Sequence, residues 1–118
     1  MISDLKKKRM ERSKVLINEL VLYNEARAEG KYGLCFKHLG RAHIIAQSRW
    51  FHHFYVHFLM LEYAWKRKDF KELFGQIIRM AATIPGHLFG KLPVGNVGWA
   101  SVGIFERMPI PEDLKSIV

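Results

Sequence analysis

The sequence predicts a compact all-α domain: four helices, the central two an antiparallel pair, covered by a long, mostly irregular C-terminal segment. Three observations carry this. Apolar residues recur at helical spacing through the first two thirds of the chain. Gly30, Gln47-Ser48-Arg49, Asp69 and Thr83-Ile84-Pro85-Gly86 punctuate the periodic runs at their ends. The last third, Gly86 to Val118, has no clear period and holds five of the nine glycines and three of the four prolines, a composition of turns.

The first helix is expected over about residues 4–28, with Ser3 as N-cap and a stripe of Leu16, Ile17, Leu20 and Tyr23 facing inward. Its Lys6-Lys7-Lys8-Arg9 run lies at the positive end of the helix dipole, which favours fraying of the first turn. The second helix follows Gly30 over about 32–48. The third, about 50–66, is apolar on nearly every side (Phe51, Phe54, Tyr55, Phe58, Leu59, Leu61, Trp65), the pattern of a central buried helix. The fourth, about 69–83, opens with Asp69 and Glu72 as a capping box and carries Phe70, Leu73, Phe74, Ile77, Ile78 and Ala81 as its inward stripe. Residues 84–118 then wrap the core, with Trp99, Ile104 and Phe105 as anchors and a helical turn starting near Pro111.

Composition bounds the function. At 118 residues and 49% apolar, the chain has material for one core, hence one domain over 1–118. The single cysteine, Cys35, excludes an intrachain disulfide and a Cys-rich zinc motif, and its apolar neighbours mark a buried, inert thiol. The most apolar run, Trp50 to Trp65, contains His52, His53, His57 and Glu62 and is shorter than the roughly 20 residues of a membrane span. With no apolar leader following the basic start, a soluble, cytoplasmic protein is expected. The net charge of +8 favours anionic partners without identifying one.

One constellation points to chemistry. His53 and His57, four apart, stack on one helix face with about 6 Å between them. Folding the hairpin about a turn near Arg49 brings His43 opposite His57 and Gln47 opposite His53. His43, His53, His57 and Gln47 are therefore candidate ligands of a divalent transition metal, with Glu19 or Glu62 as a carboxylate partner for one imidazole. His38 and His87 stand alone and read as surface or boundary residues. No His-Glu-x-x-His, phosphate loop, dinucleotide fingerprint or Ser/His/Asp arrangement supports an enzyme.

The stretches HLGRAHIIAQ (His38 to Gln47), HFYVHFLML (His53 to Leu61), GQIIR (Gly75 to Arg79), PVGNVG and MPIPEDL resemble a small bacterial family catalogued as domain of unknown function 3703. The resemblance covers nearly all of the chain from Glu25 onward and is specific as a combination. It brings no activity. It implies that His43, Gln47, His53, His57 and the Gly95-Asn96 turn belong to the family pattern. It also implies a departure at Trp99, where the pattern commonly has glycine, so that the tail packs a large ring there.

The leading expectation is a non-enzymatic protein whose histidine cluster binds a transition metal. Two others stand beside it. One is a helical protein-interaction module, open to homodimerisation, in which the histidines only lock the hairpin. The other is a nucleic-acid accessory protein using Lys7, Lys8, Arg12 and Lys14 of the first helix to hold an anion.

Overall fold

Three short breaks divide the first 89 residues into helices in the computed structural model, which describes all 118 residues. These are α1 (Ile2–Ala28), α2 (Tyr32–Ala46), α3 (Trp50–Lys66) and α4 (Phe70–Phe89), followed by one 3₁₀ turn at Glu112–Leu114; there are no strands. Gly30, at φ +69°, ends α1 in a left-handed conformation that glycine adopts without steric cost. Two residues later the chain has reversed into α2. The helices pack in sequence order, α1 on α2, α2 on α3 and α3 on α4, as an open row rather than a closed ring. The radius of gyration is 14.0 Å, close to the ~13.5 Å of a compact chain of this length.

Helix starts differ from expectation in detail. Ser3 lies inside α1, whose N-cap is Met1. Asp69 caps α4 as expected, its Oδ1 accepting from the Glu72 N–H at 3.1 Å. The reciprocal half of the box is absent, because the Asp69 N–H donates to Ala64 O and the Glu72 carboxylate turns inward.

The core gathers Leu16, Tyr23, Cys35, Leu39, Ile44, Ile45, Val56, Met60 and Tyr63. Ile17, expected in the α1 stripe, is exposed; Glu19 is buried in its place. The Glu19 carboxylate meets His38 Nδ1 and Arg41 Nε, both at 2.7 Å, so its charge is compensated across the α1–α2 seam. The expectation that α3 is buried all round also fails: Phe51, Tyr55, Phe58 and Trp65 are exposed, since the open row leaves one side of α3 uncovered.

Helix α4 departs furthest. It runs through Pro85 and ends at Phe89, where Gly90 (φ +65°) closes it and Lys91 N–H donates to Gly86 O at 2.9 Å. Pro85 removes one hydrogen bond, a cost offset by side chains that tie the last two turns to α3: Trp50 Nε1 donates to Thr83 Oγ1 at 3.0 Å, and His87 reaches His53. The helix is also inverted. Its buried residues are Glu72, Gln76 and Thr83, whereas Phe70, Phe74, Ile77 and Ile78 of the expected inward stripe are exposed. The polar face has buried partners waiting for it; the apolar face has none within the chain.

Beyond Gly90 the chain is a series of pinned turns, so the irregular covering segment expected from residue 84 begins only after α4 ends at Phe89. Asn96 Nδ2 donates to Gly103 O and Glu106 O, and Asn96 Oδ1 accepts from the Gly98 N–H. Trp99 is buried on Phe36 with Nε1 donating to its carbonyl, as the departure at that position implied. Ile104 is half-buried and Phe105 is exposed, so neither anchors the segment; Leu114 and Ile117 of the terminal turn do, both within the core. No helix is long and apolar enough to cross a membrane.

Candidate metal centre

His43 on α2 and His53 and His57 on α3 are all buried, and their three Nε2 atoms form a nearly equilateral triangle. Its sides are 3.0 Å (His43 to His53), 3.0 Å (His43 to His57) and 3.1 Å (His53 to His57). The i, i+4 spacing on α3 supplies one side and the α2–α3 packing supplies the apex.

Each ring is held from behind through Nδ1. His43 Nδ1 donates to the Asn96 carbonyl at 2.6 Å. His57 Nδ1 lies 2.7 Å from Gln76 Oε1. Gln76 Nε2 donates to Glu72 Oε2 (2.8 Å) and Gly98 O (3.0 Å), which fixes the amide orientation and makes Oε1 the acceptor. The Glu72 carboxylate is itself held by the Ala100 N–H at 2.8 Å. His53 Nδ1 meets His87 Nε2 at 2.9 Å. Partners of this kind orient metal-ligating imidazoles and set their tautomer.

The tautomers decide what the triangle is. A carbonyl oxygen only accepts, so Nδ1 carries the proton in both His43 and His57. In the neutral rings their Nε2 atoms are then bare, two lone pairs facing each other at 3.0 Å. A proton shared between them requires an imidazolium, and the surroundings oppose one. Burial, then His57 and His53, pushes His43 well below the ordinary histidine value despite the Asn96 hydrogen bond. Burial, then His57 and His87, takes His53 to about 3. Burial takes His57 to about 4, aided by Arg79 and opposed by Gln76. Two bare Nε2 atoms therefore face the centre; the third is bare when His53 Nδ1 donates to His87 Nε2, and carries a proton when His87 is the donor.

Close against His43 is Gly98, at φ +85°; a Cβ there would lie 2.5 Å from the His43 ring carbon Cδ2. The backbone approach therefore falls at Gly98, with Trp99 packing beside it.

The structure brings three of the four proposed ligands together. Gln47 lines the same cavity, but its Nε2 donates to Pro93 O at 3.1 Å and makes no hydrogen bond to the imidazoles. Glu19 and Glu62 are not their partners: Glu19 serves His38 and Arg41, and Glu62 pairs with Arg27 at the surface. Sequence reasoning missed Gln76, Glu72, Asn96 and His87 as the outer set. The recurrence of polar residues Glu72, Gln76, Arg79, Thr83 and His87 along one face of α4 was the available signal. The basic set on α1 is divided: Lys7 and Lys14 are exposed and Lys8 half-buried. Arg12 instead clasps the structure internally, donating to Ile117 O (2.8 Å) and Ser48 Oγ (3.1 Å).

Fold and site together define an all-α protein with a buried three-histidine cluster geometrically able to hold a metal ion. The chain belongs to the family described as a protein of unknown function (DUF3703), whose profile matches residues 10–118. Neither the curated proteins nor the solved structures give a match to it.

Proposed function

We propose that this protein, folding as one domain, binds a single divalent first-row transition metal ion through Nε2 of His43, His53 and His57. The observation that carries the reading is the pair of opposed, unprotonated Nε2 atoms of His43 and His57 at 3.0 Å. Such a contact is repulsive until a Lewis acid, or a proton on His53 Nε2, takes both lone pairs. A metal about 2.0–2.1 Å from each nitrogen would lie roughly 1 Å out of the triangle plane, with N–metal–N angles near 95°. That is a facial arrangement, leaving coordination positions on the far side for an exogenous ligand. Neutral imidazoles suit zinc, cobalt, nickel, copper and iron, so the donor set defines the class of ion rather than one member.

The histidine-only alternative, a seam of hydrogen bonds locking the hairpin, needs His53 neutral with its proton on Nε2, shared between His43 and His57, and His87 Nε2 donating to His53 Nδ1. Elemental analysis of tag-free protein, alongside His57→Ala and His43→Ala, tests the choice. One metal per chain in the wild type and none in either variant, with helicity retained, is the expected result. Wild-type protein that takes up no zinc, cobalt, nickel or copper after dialysis against each would sink the proposal.

A further inference from the structure

The three imidazoles form one wall of a cavity of about 460 Å³. The rest of its lining contains two cations, Arg79 and Lys91, and no carboxylate. Arg79 is half-buried and forms no ion pair; its guanidinium donates only to the neutral carbonyls Val102 O (2.6 Å) and Gly75 O (3.4 Å). It stands close enough to His43 and His57 to oppose their protonation. Adding a divalent ion to three neutral imidazoles leaves this side of the cavity net positive, since the buried Glu72 behind Gln76 offsets only one of the charges. The other side is apolar, with Leu92 and Ile104 half-buried on the wall. A site of this size and mixture takes a small organic anion rather than a bare inorganic one.

We propose that the cavity binds a small organic carboxylate, its oxygens on the open face of the metal and against Arg79, its apolar body against Leu92 and Ile104. This rests on the metal reading above. A guanidinium pairs with a carboxylate through parallel N–H donors, and the low-polarity walls strengthen that attraction.

The test uses cobalt(II)-loaded protein, whose visible d–d spectrum reports a new ligand, titrated with benzoate, acetate and inorganic phosphate. Benzoate should change the spectrum saturably, acetate should bind more weakly, and phosphate should not compete. Arg79→Gln should weaken benzoate by about tenfold or more at unchanged cobalt stoichiometry, and Arg79→Lys should recover part of the loss. No spectral change at tens of millimolar benzoate, preferential phosphate binding, or equal affinity in Arg79→Gln each overturns the inference while leaving the metal site standing. Failure to take up cobalt, zinc, nickel or copper overturns both.

A separate observation carries a second inference. The outward face of α4 presents Phe70, Phe74, Ile77, Ile78, Ile84 and Leu88, each 49–75% exposed, while the charged Glu72 and Arg79 lie on the opposite face. Monomers rarely expose an apolar stripe of this length. The six side chains and the adjoining Trp65 offer roughly 800 Å², the area one partner contributes to a standard stable interface. The lysines beside the stripe, Lys68 and Lys71, both lie at its Phe70 end, so an antiparallel two-fold pairing keeps them away from each other.

We infer that a second copy of this chain covers it, in a two-fold dimer. Sedimentation velocity at micromolar concentration should give a dimer for the wild type and a monomer for Ile77→Glu, with helicity preserved because Ile77 is already exposed. A monomeric wild type overturns the inference, and vesicle binding by that monomer would reassign the face to a lipid surface. An Ile77→Glu, Phe74→Glu double variant that remains dimeric overturns it as well.

Discussion

Acidifying the metal-free protein tests the central claim about the site, that its imidazoles are buried as neutral groups. His43, His53 and His57 have folded pKa values below their ordinary value of about 6.5, with His53 near 3 and His57 near 4. The folded state thus binds fewer protons than the unfolded state below pH 6.5. Stability from these groups is fully present above that pH and is lost as pH falls toward the folded values. At pH 5 an unfolded histidine gains about 2 kcal/mol from protonation that a folded one of pKa 4 or lower does not share. His53 and His57 together amount to about 4 kcal/mol, with His43 acting in the same direction, a large share of the about 5–15 kcal/mol that holds many domains folded. Urea unfolding followed by circular dichroism at pH 8, 6.5 and 5 measures it. The expected result is a small change between pH 8 and 6.5 and a steep loss below. Loading with metal should move the loss to lower pH, since protons and metal compete for the same lone pairs. Equal stability at pH 8 and pH 5 in the metal-free protein would refute the neutral, converging imidazoles and the tautomer argument built on them.

Three further outcomes follow from particular contacts. Gly98→Ala forces a Cβ toward His43 and holds a side-chain residue at φ +85°; a loss of about 1–3 kcal/mol by thermal unfolding and weakened metal uptake are expected. Gln76→Ala removes the group that orients His57 and leaves Glu72 short of a donor. It should lower metal affinity about 10–100-fold in a chelator competition assay, with unchanged stoichiometry at saturating metal. Leu114→Ala, at a side chain 1% exposed, should cost about 2–5 kcal/mol in urea unfolding. A negligible cost would mean that the C-terminal turn does not belong to the core.

The helices α2 and α3 were legible to within two residues because their signals are local: Gly30, the polar break at Gln47-Ser48-Arg49, and the charged Lys66-Arg67-Lys68 end. The triad was legible for a related reason. Helical spacing fixes His53 against His57, and a short hairpin leaves few positions on α2 that can reach them. Gln47 was the limit of that geometry, because hairpin counting gives proximity but not which neighbour a side chain prefers. Pro85 read as a stop because its local cost is real; what outweighed it, the ties of Thr83 and His87 to α3, lies more than thirty residues away in sequence.

The inversion of α4 shows where pattern reading ends. Its apolar stripe is plain in the sequence, and the usual inference sends such a stripe to the core. In this chain the space facing α4 is occupied by imidazoles whose Nδ1 atoms need partners, so Glu72, Gln76 and His87 turn inward.

By itself the sequence determined the all-α class, three of the four breaks between elements and three converging histidines, since all of these follow from periodicity and chain stiffness over short distances. Only the tertiary structure decided the protonation pattern of those histidines, the polar set behind them, the cavity beside them and which side of α4 faces water. Those depend on hydrogen-bond partners and desolvation supplied by segments distant in sequence, and no local propensity encodes them.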